Sequence, residues 1–265
     1  MATSRGTFGE LKVFEDFLHF EDNIAASGVA TGIVYGAGYV SVGDLGMVSV
    51  NEGSLAWTID EDGGILAITT DTGDNDNAFL LAGRYRPANG GVETEARLKF
   101  ASVTLDAIEA GFTETLAFNT PVMPAEFATA TMTYNGSGGM MGANLDPDAS
   151  ANDFRAFGGD GGAGAGGSST TGVRANETIT ADEWYVLRTE IGTDGNGAVY
   201  VGHKSEQYEL IAATNAVQGN SWTGAVLTPG DQFYAIAGVE NRSGAASIAE
   251  FDYVYARGWR DWTVG

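Results

Sequence analysis

The nine residues VETEARLKF, at positions 92–100, alternate along the chain between two kinds of side chain. Val, Thr, Ala, Leu and Phe fall on one side of an extended strand, and two Glu, one Arg and one Lys fall on the other. A period of two that turns one face to a core and the other to water is typical of an antiparallel sheet. The segment therefore predicts a strand in an antiparallel layer with one solvated face.

Seven other segments have the same extended character and are predicted as strands: 65–70, 78–85, 106–112, 183–191, 198–204, 232–240 and 246–256. Residues GTDGNG, at 192–197, supply the positive backbone φ angles that a tight hairpin turn needs. We expect NRSG, at 241–244, to join the last two segments as a terminal hairpin. Within that hairpin, Phe251, Tyr253 and Tyr255 are expected on one face.

The chain has 265 residues, with 39 glycines and 5 prolines. Its length and its hydrophobic share of 43% predict a single β domain at 11–265. We expect residues 1–10 to form an N-terminal arm, and the glycine-rich stretch at 157–172 to form a loop within the domain. The first residues contain no apolar signal-peptide core, so we expect synthesis in the cytoplasm.

Charge and cysteine content restrict the function. The formal net charge is −22, which disfavours nucleic acid and anionic membranes as partners. No apolar run approaches the roughly 20 residues of a membrane span. The absence of cysteine excludes disulfides, thiolate metal sites and cysteine nucleophiles.

One pair of acidic residues has the spacing of a hydrolytic site. Glu93 and Glu95 lie on one strand face about 7 Å apart, which paired-carboxylate hydrolysis can use. Arg97 and Lys99 share that face and can neutralise both acids. This favours a solvated charged face over a catalytic pair.

The two histidines, His19 and His203, are far apart in the sequence and form neither a zinc site nor part of a nucleophile-elbow triad. We expect His19 to be a structural residue and His203 to be exposed. Together with the neutralised acids, this predicts that the chain is not an enzyme.

Two turn segments, DTGDNDN and NLDPDASAND, each supply three aspartates. These are Asp71, Asp74 and Asp76 in the first segment, and Asp146, Asp148 and Asp153 in the second. Neither segment has the glycine and glutamate of an EF-hand loop, and Asx-rich turns explain both without a metal. We therefore assign no metal and no cofactor, with calcium as the alternative.

The five tryptophans are candidates for stacking on sugars. Trp57 and Trp184 lie within strand patterns and are expected in the core. Trp259 and Trp262 are expected to hold the end of the chain against the domain. Trp222, in the turn-like GNSWTG, is the candidate binding residue, for a glycan or for a subunit contact.

The order of the predicted strand segments along the chain is similar to that of a known fold. GGILAITT precedes VETEARLKF and IEAGF, and these are followed by ADEWYVLRTEIGTDGNGAVYV and a closing FDYVYARGWRDW. This order resembles the concanavalin A-like lectin/glucanase jelly roll, also called LamG-like. The resemblance implies an all-β, antiparallel β-sandwich with FEDFLHF, at 14–20, as a first strand beside the closing Asp-Tyr-Val strand. The Glu-x-Asp-x-x-Glu-like run of glucanase members is missing here.

The same segments are similar to sandwich domains of tailed-bacteriophage virion proteins. This resemblance implies a non-enzymatic capsid decoration or cement protein, made in the host cytoplasm and located on the capsid surface of the virion. Its partners would be the major capsid protein and itself, as a homo-oligomer such as a trimer, with Arg5 in a docking arm. The alternatives are a lectin-like carbohydrate-binding module, on a phage fibre or secreted, and a glycan hydrolase of the same fold.

Overall fold

The computed structural model describes residues 10–17, 33–35, 38–42, 45–51, 53–58, 64–118, 120–128, 131–160, 173–176, 178–203, 208–213 and 227–260. Several positions singled out in the sequence lie outside these ranges, namely Arg5, His19, Trp222, Trp262 and most of the glycine-rich stretch. For Trp57 the structure describes the backbone alone.

Strands dominate the described residues, whose one helical element is a 3-10 turn at Pro87–Asn89. In chain order the strands are β1 Glu10–Glu15, β2 Ile33–Tyr35, β3 Gly38–Val42, β4 Leu45–Ser49, β5 Gly53–Thr58, β6 Ile65–Thr69, β7 Asn77–Tyr85, β8 Val92–Phe100, β9 Asp106–Thr113, β10 Ala125–Ala128, β11 Thr131–Tyr134, β12 Met140–Leu145, β13 Arg155–Gly159, β14 Val173–Arg174, β15 Tyr185–Ile191, β16 Gly197–His203, β17 Tyr208–Ala213, β18 Phe233–Asn241 and β19 Ile248–Trp259. No helix in the described ranges is long and apolar enough to cross a membrane.

Two antiparallel sheets form a sandwich. Sheet A has the spatial order β17-β16-β15-β8-β19-β6-β5-β2, and β1 pairs with the second half of β19. Sheet B has the order β14-β13-β12-β9-β18-β7-β4-β3. The predicted all-β antiparallel sandwich is confirmed, and so is the tight β15–β16 hairpin.

The alternation of β8 is realised as predicted, because its apolar positions are buried between the sheets while its charged positions face outward. Strands of both sheets contribute large aromatic side chains to this core: Phe100, Phe112, Tyr185, Phe233 and Phe251 are all less than 2% exposed. Each fully buried side chain of this size stabilises the fold by about 1.5–3 kcal/mol.

The predicted terminal hairpin is wrong. β18 lies in sheet B between β7 and β9, and β19 lies in sheet A between β8 and β6, so the turn after Asn241 crosses from one sheet to the other. The amide of Asn241 fixes that crossing by donating to the backbone oxygens of Asp71 and Gly73, at 3.2 and 3.0 Å. β18 is buried at almost every position, which is typical of a central strand covered on both faces.

The predicted shared face of Phe251, Tyr253 and Tyr255 is also wrong. The register with β8 shifts between Phe251 and Tyr253, where Asp252 is the extra residue of a β-bulge. A bulge sets two residues against one, so the side chains that follow it change face. Phe251 is consequently in the core, whereas both tyrosines lie on the outer face of sheet A.

Three of the predicted boundaries differ from those of the structure. The first strand is β1, which begins before the expected segment 14–20 and ends at Glu15, and Phe17 has a φ of +52°, outside the extended region. Residues 18–20 of the expected strand lie outside the described residues. Its pairing beside the closing strand is as expected. Glu10, a residue of the predicted arm, is the first residue of this strand. The predicted glycine-rich loop at 157–172 begins too early, because β13 continues to Gly159 and is buried throughout.

A third layer that the sequence did not predict covers the outer face of sheet B. Among the described strands, β10 and β11 pair only with each other, and we call them the cover hairpin. Its apolar side chains pack on the sheet in a separate small core, which consists of Ala125, Phe127, Met132, Tyr134, Met140 and Phe157. The preceding segment adds Met123 to a neighbouring apolar cluster on the same face.

Candidate binding groove

A groove of about 740 Å³ opens on the outer face of sheet A, where β15 begins and β16 ends. The side chains that give it chemical character come from strands β8, β16, β17 and β19 and from the residues just before β15. They are Arg97, Glu183, Trp184, His203, Tyr208 and Tyr253. The groove therefore combines three aromatic rings with polar and charged groups.

Trp184 lies on this outer face and not in the core as predicted. Tyr185 pairs with Leu98 of β8, which places Trp184 beside Lys99. The Lys99 Nζ lies 5.0 Å from the indole centroid, and the Arg97 Cζ lies 4.6 Å from it. Cations at these distances are attracted to the face of an indole, so the ring is fixed against β8.

The sequence did contain the signal that locates Trp184. In a strand whose Tyr185 and Leu187 point inward, a period of two points the preceding residue outward. The apolar character of tryptophan does not decide its face, whereas its position in the alternation does.

Two tyrosines are held in place by one carboxylate. The Tyr208 hydroxyl donates to Glu95 Oε2 at 2.8 Å, and the Tyr253 hydroxyl donates to Glu95 Oε1 at 2.5 Å. Burial, followed by the hydrogen bond to Glu95, raises the pKa of Tyr208 to about 12. The same two causes raise the pKa of Tyr253. Both phenols are therefore neutral donors whose rings are oriented before any ligand arrives.

His203 borders the groove at the end of β16, where it is the cross-strand partner of the inward-facing Tyr185. Its side chain is only 7% exposed, so the prediction of an exposed histidine is wrong. The imidazole stacks on Tyr185 with 4.5 Å between ring centroids, and its Nε2 lies 2.7 Å from Glu183 Oε2. The end of β16 and the start of β15 are thus joined by a polar contact at the groove.

The Glu93–Glu95 pair is neutralised, although by different partners from those predicted. Arg188 Nη2 lies 3.0 Å from Glu93 Oε1, and Arg257 Nη2 lies 2.5 Å from Glu93 Oε2. Glu95 is bound by the two tyrosines. Arg97 and Lys99 pair instead with Asp252 and Glu250 across the sheet. Each oxygen of the two carboxylates therefore has a protein partner.

Two of the aspartates considered for calcium, Asp146 and Asp153, are bound to protein groups. Asp146 accepts the N–H groups of Phe127 and Asp148, at 2.7 and 2.9 Å. Asp153 binds Arg155 Nε at 2.8 Å. A set that the sequence did not suggest consists of Glu114, Asp160 and Asp231, which offer carboxylate oxygens within 4.8 Å of one another. Oxygen ligands of this kind suit a hard cation such as Ca²⁺.

The other tryptophan described with its side chain is Trp259. It packs against the 3-10 turn, where its indole lies over Gly90, and its carbonyl accepts from Asn89 Nδ2 at 3.3 Å. This is the position expected of a residue that holds the chain end against the domain. The predicted binding residues Trp222 and Arg5 both lie outside the described residues.

No protein-family model and no curated protein matches the chain. Solved structures do match. A protein of unknown function from Shewanella oneidensis MR-1 has a TM-score of 0.55 at 12% identity, over 97% of this chain and 89% of that one. Peanut lectin with a 9-residue peptide has a TM-score of 0.50 at 10% identity, over 88% of this chain and 100% of that one. The chain has the lectin-like jelly-roll fold. The resemblance found in the sequence is thereby confirmed for the fold.

Proposed function

We propose that this chain is a non-catalytic binding domain that holds a neutral glycan in the groove of sheet A. The observation that carries the proposal is the fixed Trp184 indole beside the oriented rings of Tyr208 and Tyr253. A volume of about 740 Å³ lies within the range of roughly 300–1,000 Å³ that is usual for ligand pockets.

The chemistry of the groove suits a sugar better than an ion. A sugar ring has an apolar face that packs on an aromatic ring and hydroxyl groups that bond to polar side chains. Two of the charged groups already have protein partners, since Arg97 is paired with Asp252 and Glu183 Oε2 lies 2.7 Å from His203 Nε2. A neutral ligand does not break these pairs, whereas a charged ligand would have to compete with them. Side chains that are fixed in advance also reduce the entropy lost on binding.

The proposal is tested on a glycan array, followed by titration calorimetry with the glycans that bind. We expect Trp184→Ala to weaken binding at least tenfold, or about 1.4 kcal/mol. Tyr208→Phe keeps the ring and removes its bond to Glu95, so we expect a smaller loss. Trp222→Ala is the matched control, and we expect it to bind as the unchanged protein does. Loss with Trp222→Ala and retention with Trp184→Ala, or no glycan bound at all, would contradict the assignment.

We also propose, from the sequence resemblance, that the domain acts on a phage capsid as a decoration or cement protein bound to the major capsid protein and to itself. The acid excess supports this, because 35 acidic residues against 13 basic ones suit a basic partner surface. Mass spectrometry of purified virions tests it. We expect on the order of hundreds of copies per particle, as a symmetric shell requires. A handful of copies would place the domain on a fibre, and absence from virions would refute the capsid role.

A further inference from the structure

The cover hairpin is attached to sheet B by polar side chains that bind the free edge of β10. At Ala125, the N–H donates to Glu109 Oε2 at 3.2 Å, and the carbonyl accepts from Asn144 Nδ2 at 2.8 Å. Glu109 and Asn144 are register partners on the neighbouring strands β9 and β12. Two side chains of the sheet thus bind both backbone groups of one residue of the hairpin.

The arrangement repeats two residues further along β10. The Phe127 N–H donates to Asp146 Oδ2 at 2.7 Å, and its carbonyl accepts from Arg242 Nη2 at 2.8 Å. Side chains of the sheet therefore take the place of a neighbouring strand along this edge. Release of the hairpin would break these four hydrogen bonds, each of which ordinarily contributes about 0.5–1.5 kcal/mol net, or about 1.5–3 kcal/mol where one partner is charged.

Negative charge is concentrated beneath the hairpin. Glu109 is fully buried, and Glu240 is 1% exposed. The charged groups that face them are Glu126 of β10, Asp146 and Asp148 beyond β12, and Arg242 beyond β18. Arg242 lies within 4.0 Å of four of these carboxylates. A single guanidinium cannot balance them, and Arg155 on the far side of Phe127 is already paired with Asp153.

The same place contains three buried oxygen atoms without a hydrogen-bond donor: Glu109 Oε1, Asn144 Oδ1 and Asn77 Oδ1. When Glu109 is ionised, all three oxygen atoms can only accept hydrogen bonds. A proton on Glu109 turns its carboxyl group into a donor and removes one negative charge. Burial raises the pKa of Glu109 well above its usual range, and the charges of Glu240 and Glu126 add to this, although the hydrogen bonds from Ala125 and Asn144 oppose the shift.

We propose that the cover hairpin is a proton-latched lid, which lies on sheet B while Glu109 carries a proton and lifts when that proton is lost. Lifting uncovers the apolar outer face of the sheet at Met140 and Phe157. Glu240 acts in the same direction, because burial, followed by the charge of Glu126, raises its pKa to about 8. The lid is therefore closed at acid pH and opens as the pH rises through the titration of these two acids.

A single thiol can report the opening, because the chain has no cysteine. Met132 of β11 is 4% exposed because its side chain packs between the hairpin and sheet B, so Met132→Cys reacts with a thiol reagent when the lid lifts. The rate is compared with that of Met132→Cys combined with Glu109→Gln, in which the amide mimics the protonated acid. The ratio of the two rates cancels the ionisation of the thiol itself. We expect a ratio near one at about pH 6 and of at least about ten at about pH 9.5.

Ala96→Cys in the main core, at a position 1% exposed, separates local opening from unfolding. We expect its reaction to remain slow at about pH 9.5. An equal acceleration there, or a rate ratio that does not change with pH, would overturn the proposal. If Glu109→Gln fails to fold, carbon-13 NMR of the Glu109 carboxyl in the unchanged protein decides the matter: a midpoint above about pH 7 supports the latch, and one near 4.5 overturns it.

Discussion

Replacing Glu240 by glutamine is expected to stabilise the protein, and to do so more strongly as the pH rises towards 8. Glu240 is 1% exposed. Its Oε1 lies 3.0 Å from Arg242 Nη1, and its Oε2 accepts from Asn77 Nδ2 at 3.2 Å. Burial nevertheless raises its pKa from 4.5 to about 8, and the charge of Glu126 adds to this. Arg242 opposes the shift only in part, because it is shared with other carboxylates.

The direction in which the free energy of unfolding changes with pH follows from proton binding. Between about pH 4.5 and pH 8 the folded protein keeps the proton on Glu240 while the unfolded chain loses it. The folded state therefore binds more protons, and the free energy of unfolding decreases as the pH rises through this window. One pKa unit corresponds to about 1.4 kcal/mol, so the loss reaches on the order of 3 kcal/mol at pH 7 and 5 kcal/mol at pH 8. Glutamine is neutral in both states and avoids this loss.

Urea unfolding at several pH values, followed by tryptophan fluorescence, measures the effect. We expect the difference in unfolding free energy between Glu240→Gln and the unchanged protein to grow from near zero at about pH 4.5 to a few kcal/mol at about pH 8. Asp74→Asn is the control, because it makes the same charge change at an exposed position. A difference for Glu240→Gln that is constant within about 0.5 kcal/mol across this range would refute the reasoning.

Two further substitutions test the packing. Gly142→Ala would place a methyl group against the Ala110 carbonyl and 2.8 Å from Cζ of Phe157, so we expect the free energy of unfolding, measured in urea, to fall by about 1–3 kcal/mol. An unchanged urea midpoint would contradict the close approach of β9 and β12. Asp153→Ala would leave Arg155, which is 1% exposed, without the carboxylate that binds it, so we expect the free energy of unfolding to fall by about 3–5 kcal/mol. A thermal unfolding midpoint within a degree or so of that of the unchanged protein would show that this ion pair does not stabilise the fold.

Individual strands could be predicted from the sequence because the alternation of side chains is a local property. β8 spans the nine residues predicted, and β6, β9 and β15 lie within two residues of their predicted bounds. Pairing is not local, and this is where the prediction failed. The turn after Asn241 serves equally well as a hairpin or as a crossing between sheets, and the choice depends on the partners that β18 and β19 find elsewhere.

The site was harder to predict for a related reason. A single extra residue, Asp252, moves Tyr253 to the outer face, and a bulge leaves no clear mark in the sequence. Trp184 could have been placed from the alternation of β15 alone. The partners of Glu95, by contrast, are residues at 208 and 253, which only the assembled sheet brings together.

The burial patterns of the strands also explain why one outer face is open and the other is covered. β8, β15 and β19 alternate between buried and partly exposed positions, as strands with one wet face do. β9 is buried at all eight of its positions, so its sheet must be covered on both sides, and the cover hairpin supplies the second layer. Glu109 is the carboxylic acid at the centre of that strand, and its ionised form is the costly one in such surroundings. The open face thus offers a groove for a ligand, and the covered face carries a proton-sensitive contact.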